Sequence, residues 1–175
     1  TQAKQVPLLS RASKSGRPAS TVEEAFRSEG GESIKENPEK MIKVWNIKPG
    51  RESEPNVLYA GAQPASLFIS KDRGETWEMM RPLWDMPERN KWLGGGADIP
   101  GIHSICVDPR SSDTVRVAIS CGGVWTTHDG GKTWAPFNKN VRADFMPNKF
   151  PEFGQCVHKM AMHPANPNLL YQQNH

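Results

Sequence analysis

Among the ionisable residues in or just after two long, turn-rich stretches of this sequence, residues 79–101 and 136–155, two carboxylates, two histidines and two arginines are candidates for chemistry. The first stretch holds Trp84, Arg89, Trp92, the Gly94-Gly95-Gly96 run and Asp98, and leads to His103; the second holds Arg142 and Asp144 and leads to His158. Asp98 and Asp144 could form the carboxylate pair of glycoside hydrolysis, one as acid and one as base or nucleophile. Alternatively, each caps its own turn or pairs with Arg89 or Arg142. His103 and His158, at matching places after Ile102 and Val157, could bind a metal or carry protons near neutral pH. The alternative is a hydrogen-bonding staple between neighbouring structural units. Trp84 and Trp92 suit a sugar-stacking platform or a cover over sheet ends, and Arg89 and Arg142 could hold an anionic group bidentately. The glycine run lacks the following Lys-Ser/Thr of a phosphate-binding loop, which argues against phosphate.

The elements that must position these groups repeat from residue 42. Ile42 to Pro49, Asn56 to Gly61 and Ser66 to Ser70 read as three strands; Ile102 to Pro109, Thr114 to Ser120 and Gly123 to Thr127 repeat them; Val157 to Pro164 and Asn166 to Tyr171 begin a third unit. Each run is short, alternating and rich in β-branched or aromatic residues. Pro49, Pro109 and Pro164 are 60 and 55 residues apart, enough for a four-stranded unit with an insertion.

Each third strand ends in the same octamer: Ser70-Lys-Asp72-Arg-Gly74-Glu-Thr76-Trp77, and Thr127-His-Asp129-Gly-Gly131-Lys-Thr133-Trp134, the aspartates 57 residues apart. Asp72 and Asp129 are expected to accept hydrogen bonds from backbone N–H groups of the turn, and Gly74 and Gly131 to supply positive φ. Thr76 and Thr133 are expected to begin the returning strand, with Trp77 and Trp134 burying their rings against the turn.

These octamers resemble Asp-boxes, or BNR repeats, the hairpin signature of sialidases, sortilin-type receptors, xyloglucan-cleaving glycosidases and several non-enzymatic β-propellers. Trp84-Asp-Met-Pro87, Trp92-Leu-Gly-Gly-Gly96, Pro100 to Pro109 and Ser120-Cys-Gly-Gly-Val-Trp125 further resemble bacterial Asp-box propellers labelled glycosyl hydrolase or exo-alpha-sialidase. The resemblance covers residues 42–175. It implies an all-β fold of four-stranded antiparallel β-propeller blades, with blades at 42–80 and 102–137 and the start of another at 157–175. Residues 1–40 read as polar linker or loop, with a short helix at Thr21 to Arg27 capped by Ser20 or Thr21. About two and a half blades cannot close a ring of four to eight, so further blades of the same chain are expected, in a protein two to three times longer. The resemblance to sialidases implies an arginine triad, a tyrosine nucleophile paired with glutamate and an Arg-Ile-Pro sequence. No Arg-Ile-Pro occurs, and Tyr59 and Tyr171 occupy equivalent strand positions suited to packing.

In an up-and-down blade the first-to-second turn and the Asp-box share one end. The two long stretches must then gather at the other, beside the channel lined by the first strands. Long, chemically rich loops on a rigid scaffold are more often functional than packing. The expected function is a ligand- or protein-binding propeller module with recognition loops 79–101 and 136–155, for carbohydrate or a protein ligand; the alternative is a glycoside hydrolase using carboxylates on the same loops.

Composition sets the remaining bounds. Twenty-two basic against 19 acidic residues give a net charge of +3, too small and evenly spread for a nucleic-acid surface. No apolar run approaches the roughly 18–20 residues of a membrane span. Cys106, Cys121 and Cys156 form no Cys-x-x-Cys and lack histidine at zinc-finger spacing, so no metal and no cofactor is expected. Buried free thiols are expected, with Cys106 and Cys121 facing each other across a hairpin. Residues 1–20 have no apolar signal region, which with free thiols leans toward the cytoplasm.

Overall fold

The computed structural model describes residues 18–26 and 41–175. Strands β1 (Lys43–Pro49), β2 (Leu58–Gln63), β3 (Ser66–Ser70) and β4 (Glu78–Met79) form one antiparallel sheet in sequence order; β5 (Ile102–Val107), β6 (Val115–Ile119), β7 (Val124–Thr127) and β8 (Ala135–Pro136) form a second. Strands β9 (Val157–His163) and β10 (Asn166–Asn174) pair in a third. Corresponding registers coincide, Leu58 facing Ser70 in the first sheet as Val115 faces Thr127 in the second. The inner strands pack in series, β1 beside β5 and β5 beside β9. Sequential four-stranded sheets with first strands side by side are β-propeller blades, so the described chain is a partial propeller.

Alternation decides what each blade face covers. Tyr59 and Leu67 of the first blade meet Ile102, Ile105, Val107, Val117 and Trp125 of the second, around which Leu83 and Trp92 close. Cys106, Ala118 and Val124 meet Val157, Met160 and Leu170 of the third sheet. The first blade's other face, Ala60, Ala62 and Phe68, is covered by Val22, Ala25 and Phe26. Val22 and Ala25 belong to a short helix, α1 (Val22–Ala25), with Phe26 as its C-cap; its N-cap Thr21 accepts a hydrogen bond from the Glu24 amide, while the Ser20 amide donates to Glu24 Oε2 at 2.8 Å. This reciprocal pair satisfies two otherwise unpaired helix donors. Segment 18–26 also bridges to the blade's edge, Trp77 N–H donating to Ala19 O at 2.8 Å, and Phe26 sets its ring edge against Trp84 at 5.4 Å. Arg27, the last residue of the expected helix, lies outside the described residues.

The octamers fold as their residue types require. Asp72 Oδ1 accepts from Ser70 Oγ and the Thr76 amide, both at 2.8 Å, and Oδ2 accepts from the Thr76 hydroxyl; the Gly74 amide donates to Ser70 Oγ at 2.7 Å. In the second copy Asp129 accepts from Thr127 Oγ1 at 2.8 Å, from the Lys132 and Thr133 amides at 3.0 and 2.9 Å, and from Thr133 Oγ1 at 2.7 Å. Gly74 and Gly131 take φ of 93° and 88°, a region open mainly to glycine. Trp77 and Trp134 donate their indole N–H to the Gly74 and Gly131 carbonyls at 3.1 and 3.2 Å. One expectation needs correcting: Thr76 and Thr133 belong to the turn, and the returning strands begin at Glu78 and Ala135. The aspartate's grip on both the amide and the hydroxyl of each threonine holds it out of the ladder.

The two ends of the blades divide as the alternation requires. Arg73 N–H donates to Asn56 O at 2.8 Å and Gly130 N–H to Asp113 O at 3.0 Å, which ties each Asp-box to its first-to-second turn. At the opposite end Leu93 and Cys121 exchange backbone hydrogen bonds of 3.2 and 2.9 Å, so the first long loop pairs with the second blade's central turn. That loop also carries a helix, α2 (Arg81–Trp84), and a 3₁₀ turn at Pro87–Lys91. Among the described residues no helix is long and apolar enough to cross a membrane. The three cysteines are free and buried, but Cys106 and Cys121 do not face each other. Cys106 lies well inside β5, opposite Arg116, far along the strand from Cys121; the neighbour of Cys121 is Cys156, which directly precedes β9.

Candidate functional site

Each inner strand carries one extra residue near its start. The register shifts between Val44 and Asn46 in β1, between Ile102 and Ser104 in β5, and between Lys159 and Val157 in β9. The unpaired residues are Trp45, His103 and His158. A bulge bends the strand and re-aims a side chain, and here it does so at the same level of three neighbouring strands, at the end where the long loops gather.

Trp45 is 46% exposed, yet it is held from several sides. Its indole N–H donates to Gln63 Oε1 at 3.2 Å, and Gln63 Nε2 in turn donates to Ile99 O on the first long loop at 2.7 Å. The His103 ring stands edge-on at 6.4 Å, and Lys43 Nζ lies 3.7 Å from the ring centroid. A Cβ on Gly101 would come within 2.6 Å of the indole nitrogen, so glycine is required for the loop to pass this closely. The result is an oriented, solvent-facing aromatic surface on the inner strand. Sequence reading placed Trp45 in a strand without a role; its position directly after Val44, as His103 follows Ile102, was the available signal.

His103 is half-buried, with Nδ1 lacking a partner. Burial lowers its pKa below the ordinary histidine value, partly opposed by a backbone hydrogen bond with Val157 on the next inner strand. That bond makes it a link between the second and third sheets. His158 is exposed, its ring against His175 at 4.3 Å and its Nε2 3.9 Å from Cys156 Sγ.

The other sequence candidates fall in different places. Trp84 and Trp92 are both 4% exposed. Trp84 lies between Phe26 and the Arg89 guanidinium, which stacks 3.5 Å from its centroid; Trp92 packs on Trp125 at 5.5 Å. Both rings are thus covered, Trp84 by Phe26 and Arg89 and Trp92 by Trp125. Arg89 is thereby engaged in packing. Asp98 is exposed in the turn after Gly94, on the first loop. Asp144 is exposed on the second, where its carboxylate pairs with Arg142 at 2.6 Å and its carbonyl accepts from Lys149 Nζ. Among the described residues no hydrogen bond or ion pair links Asp98 with Asp144. The second loop is pinned from inside by buried Asn138, which bonds the Val124 backbone and Glu152 O, and by buried Gln155, which donates to Val141 and Pro151 carbonyls. Phe137, Phe145 and Phe150 are left exposed on this stretch. Asp72 and Asp129, by contrast, are engaged wholly in their turns. Burial alone would raise the Asp129 pKa, but the hydrogen bonds from Thr133, Thr127 and Lys132 hold it down to about 2, and the same bonding lowers Asp72.

Comparison with known proteins returns the same hairpins. The BNR/Asp-box repeat matches residues 68–79 and 125–136. An oligoxyloglucan-reducing end-specific xyloglucanase of Emericella nidulans is 35% identical over 78 residues, 44% of this chain and 8% of that protein. A probable enzyme of the same description from Neosartorya fischeri is 34% identical over 82 residues, 46% of this chain and 9% of that one. The chain thus spans under a tenth of the length of these curated relatives. Among solved structures, an ancestral GH74 enzyme aligns with a TM-score of 0.47 at 15% identity, over 74% of this chain and 16% of that one. The GH74 enzyme of Niastella koreensis aligns with a TM-score of 0.42 at 17% identity, over 70% and 17%. Both matched segments coincide with the hairpins that close the two four-stranded blades, so this chain carries two BNR/Asp-box repeats.

Proposed function

We propose that this propeller segment recognises a carbohydrate chain at its channel end, with Trp45 as the stacking surface and loops 79–101 and 136–155 as flanking walls. The observation that carries the reading is how Trp45 is held: a large ring on an inner strand, fixed by Gln63, His103 and Gly101, and solvent-facing along with Ile42, Val44 and Ile47 of the same segment. Holding a ring ready in this way reduces the ordering cost of binding. The exposed Phe145 and Phe150 add apolar surface to the second wall. The names of the curated relatives point to a xyloglucan-type glucan as the ligand class to try first.

A second reading, hydrolysis, is favoured by those same names, with Asp98 and Asp144 as the carboxylates to test. The decisive binding experiment is calorimetric titration of the full chain with xyloglucan oligosaccharides, before and after Trp45→Ala. Binding weakened about tenfold by the substitution, the scale of one aromatic contact, is the expected result; equal binding by both proteins overturns the role of Trp45. Hydrolysis is read on a panel of aryl glycosides, a sialoside and xyloglucan oligosaccharides. Turnover lost in the Asp98→Asn, Asp144→Asn double variant supports the enzyme reading, and turnover that survives it removes this pair.

A further inference from the structure

The geometry points to a metal-binding site, for a zinc-type divalent cation, formed by Cys156, His158 and His175. One ligand atom from each lies within 4.8 Å of the others, with Cys156 Sγ 3.9 Å from His158 Nε2 and the two imidazoles edge to face at 4.3 Å. A tetrahedral zinc with bonds of roughly 2.0–2.3 Å sets its ligand atoms about 3.3–3.8 Å apart. Side-chain rotation of about 1 Å therefore closes the set. Sulfur with two imidazoles is a donor set suited to zinc, and since both histidines are exposed, water could complete the set.

The backbone brings these three together without help from sequence spacing. Cys156 precedes β9, His158 is the bulge residue of β9, and His175 follows β10, its amide donating to Cys156 O at 3.4 Å. The sulfur is also crowded by its neighbours: a Cβ on Gly95 would lie 3.1 Å from Cys156 Sγ and 3.2 Å from Cys121 Sγ. Gly95 also takes φ of 67°, a backbone region that favours glycine. On binding, the Cys156 thiol gives its proton to solvent as the S–Zn bond forms, and the two neutral imidazoles donate lone pairs. The cation clasps the start of β9 to the end of β10, beside His103 and the proposed glycan surface.

The test is titration of the metal-free full chain with Co²⁺, followed by displacement with Zn²⁺. One equivalent of Co²⁺ should give a thiolate-to-cobalt charge-transfer band that Zn²⁺ abolishes, and Zn²⁺ should raise the melting temperature. Cys156→Ser should remove the band. His158→Ala and His175→Ala, both at exposed positions that leave the core intact, should weaken binding by more than the roughly 10–100-fold typical of losing an outer partner. Absence of the band in the wild-type chain overturns the site, as does a band that persists in Cys156→Ser. Binding that ignores either histidine substitution also overturns it. None of these readouts involves glycan, so they stand or fall apart from the proposed function.

Discussion

The two ends of the same blades solve opposite problems. At the Asp-box end each aspartate spends its oxygens on groups within its own octamer, and the neighbouring turn is tied on by Arg73 and Gly130. At the channel end Trp92 Nε1, His103 Nδ1 and Gln155 Oε1 are buried without a hydrogen-bond partner, and Trp45 and three phenylalanines stand in solvent, whereas near the Asp-box end the buried Arg116 nitrogens without such a partner lie beside the Asp108 carboxylate. Buried polar atoms without partners and exposed large rings both raise the free energy of the unbound chain. The residues that repeat therefore build the scaffold, and the long loops that break the repeat gather at the other end.

That contrast can be broken or sharpened by substitution. Asp129→Ala removes four hydrogen bonds, leaving the Lys132 and Thr133 amides without a protein acceptor. It should cost about 2–3 kcal/mol of stability, read by urea denaturation, with glycan affinity of the folded fraction unchanged. A loss of affinity at full folding would show that the two ends are coupled.

Acid should find the same end. Asp129 and Asp108 are held at about 2, Asp108 chiefly by hydrogen bonds from the Arg110 side chain. Depressed carboxylates contribute stability fully above the unfolded value near 4, and lose it as pH falls toward 2. Melting temperatures across that window should drop steeply, and the drop should shrink in Asp129→Ala.

At the other end Trp45→Ala should weaken glycan binding about tenfold and cost about 1–2 kcal/mol of stability, because buried Gln63 Oε1 loses its donor. That stability loss with unchanged affinity would make Trp45 a packing residue alone. A milder pH effect should come from His103. Its folded pKa is lowered, so the unfolded chain takes up the proton first, and stability should decline as pH falls below about 6.5. His103→Gln should flatten that slope. Least of all, Arg142→Ala should shift stability by under about 0.5 kcal/mol, because its pair with Asp144 is exposed and screened; a larger shift would mean the second loop depends on that pair.

Reading the sequence recovered the blades because their causes are local. Strand β3 begins and ends where expected, at Ser66 and Ser70, and the octamer chemistry is complete within eight residues. The site was legible only in outline. Its end of the molecule followed from strand alternation, but residue type leaves Trp84 and Trp92 equally suited to a sugar platform and to a cover over sheet ends, and it is the packing of Phe26, Arg89 and Trp125 that buries both. Residue type states that a tryptophan seeks cover; it does not state which covers are already taken. Likewise Cys156-x-His158 resembles no metal spacing until β10 returns beside β9 and delivers His175.

The sequence by itself thus determined the strand order, the Asp-box turns and the end to which the long loops go, since each rests on residues close together along the chain and on strict alternation. The tertiary structure alone decided that 18–26 covers the first blade, that Trp45 rather than Trp84 or Trp92 stays exposed, and that Cys121 meets Cys156 instead of Cys106. These depend on which segments pack together in space, and on single-residue bulges that redirect a side chain without altering the pattern of the strand.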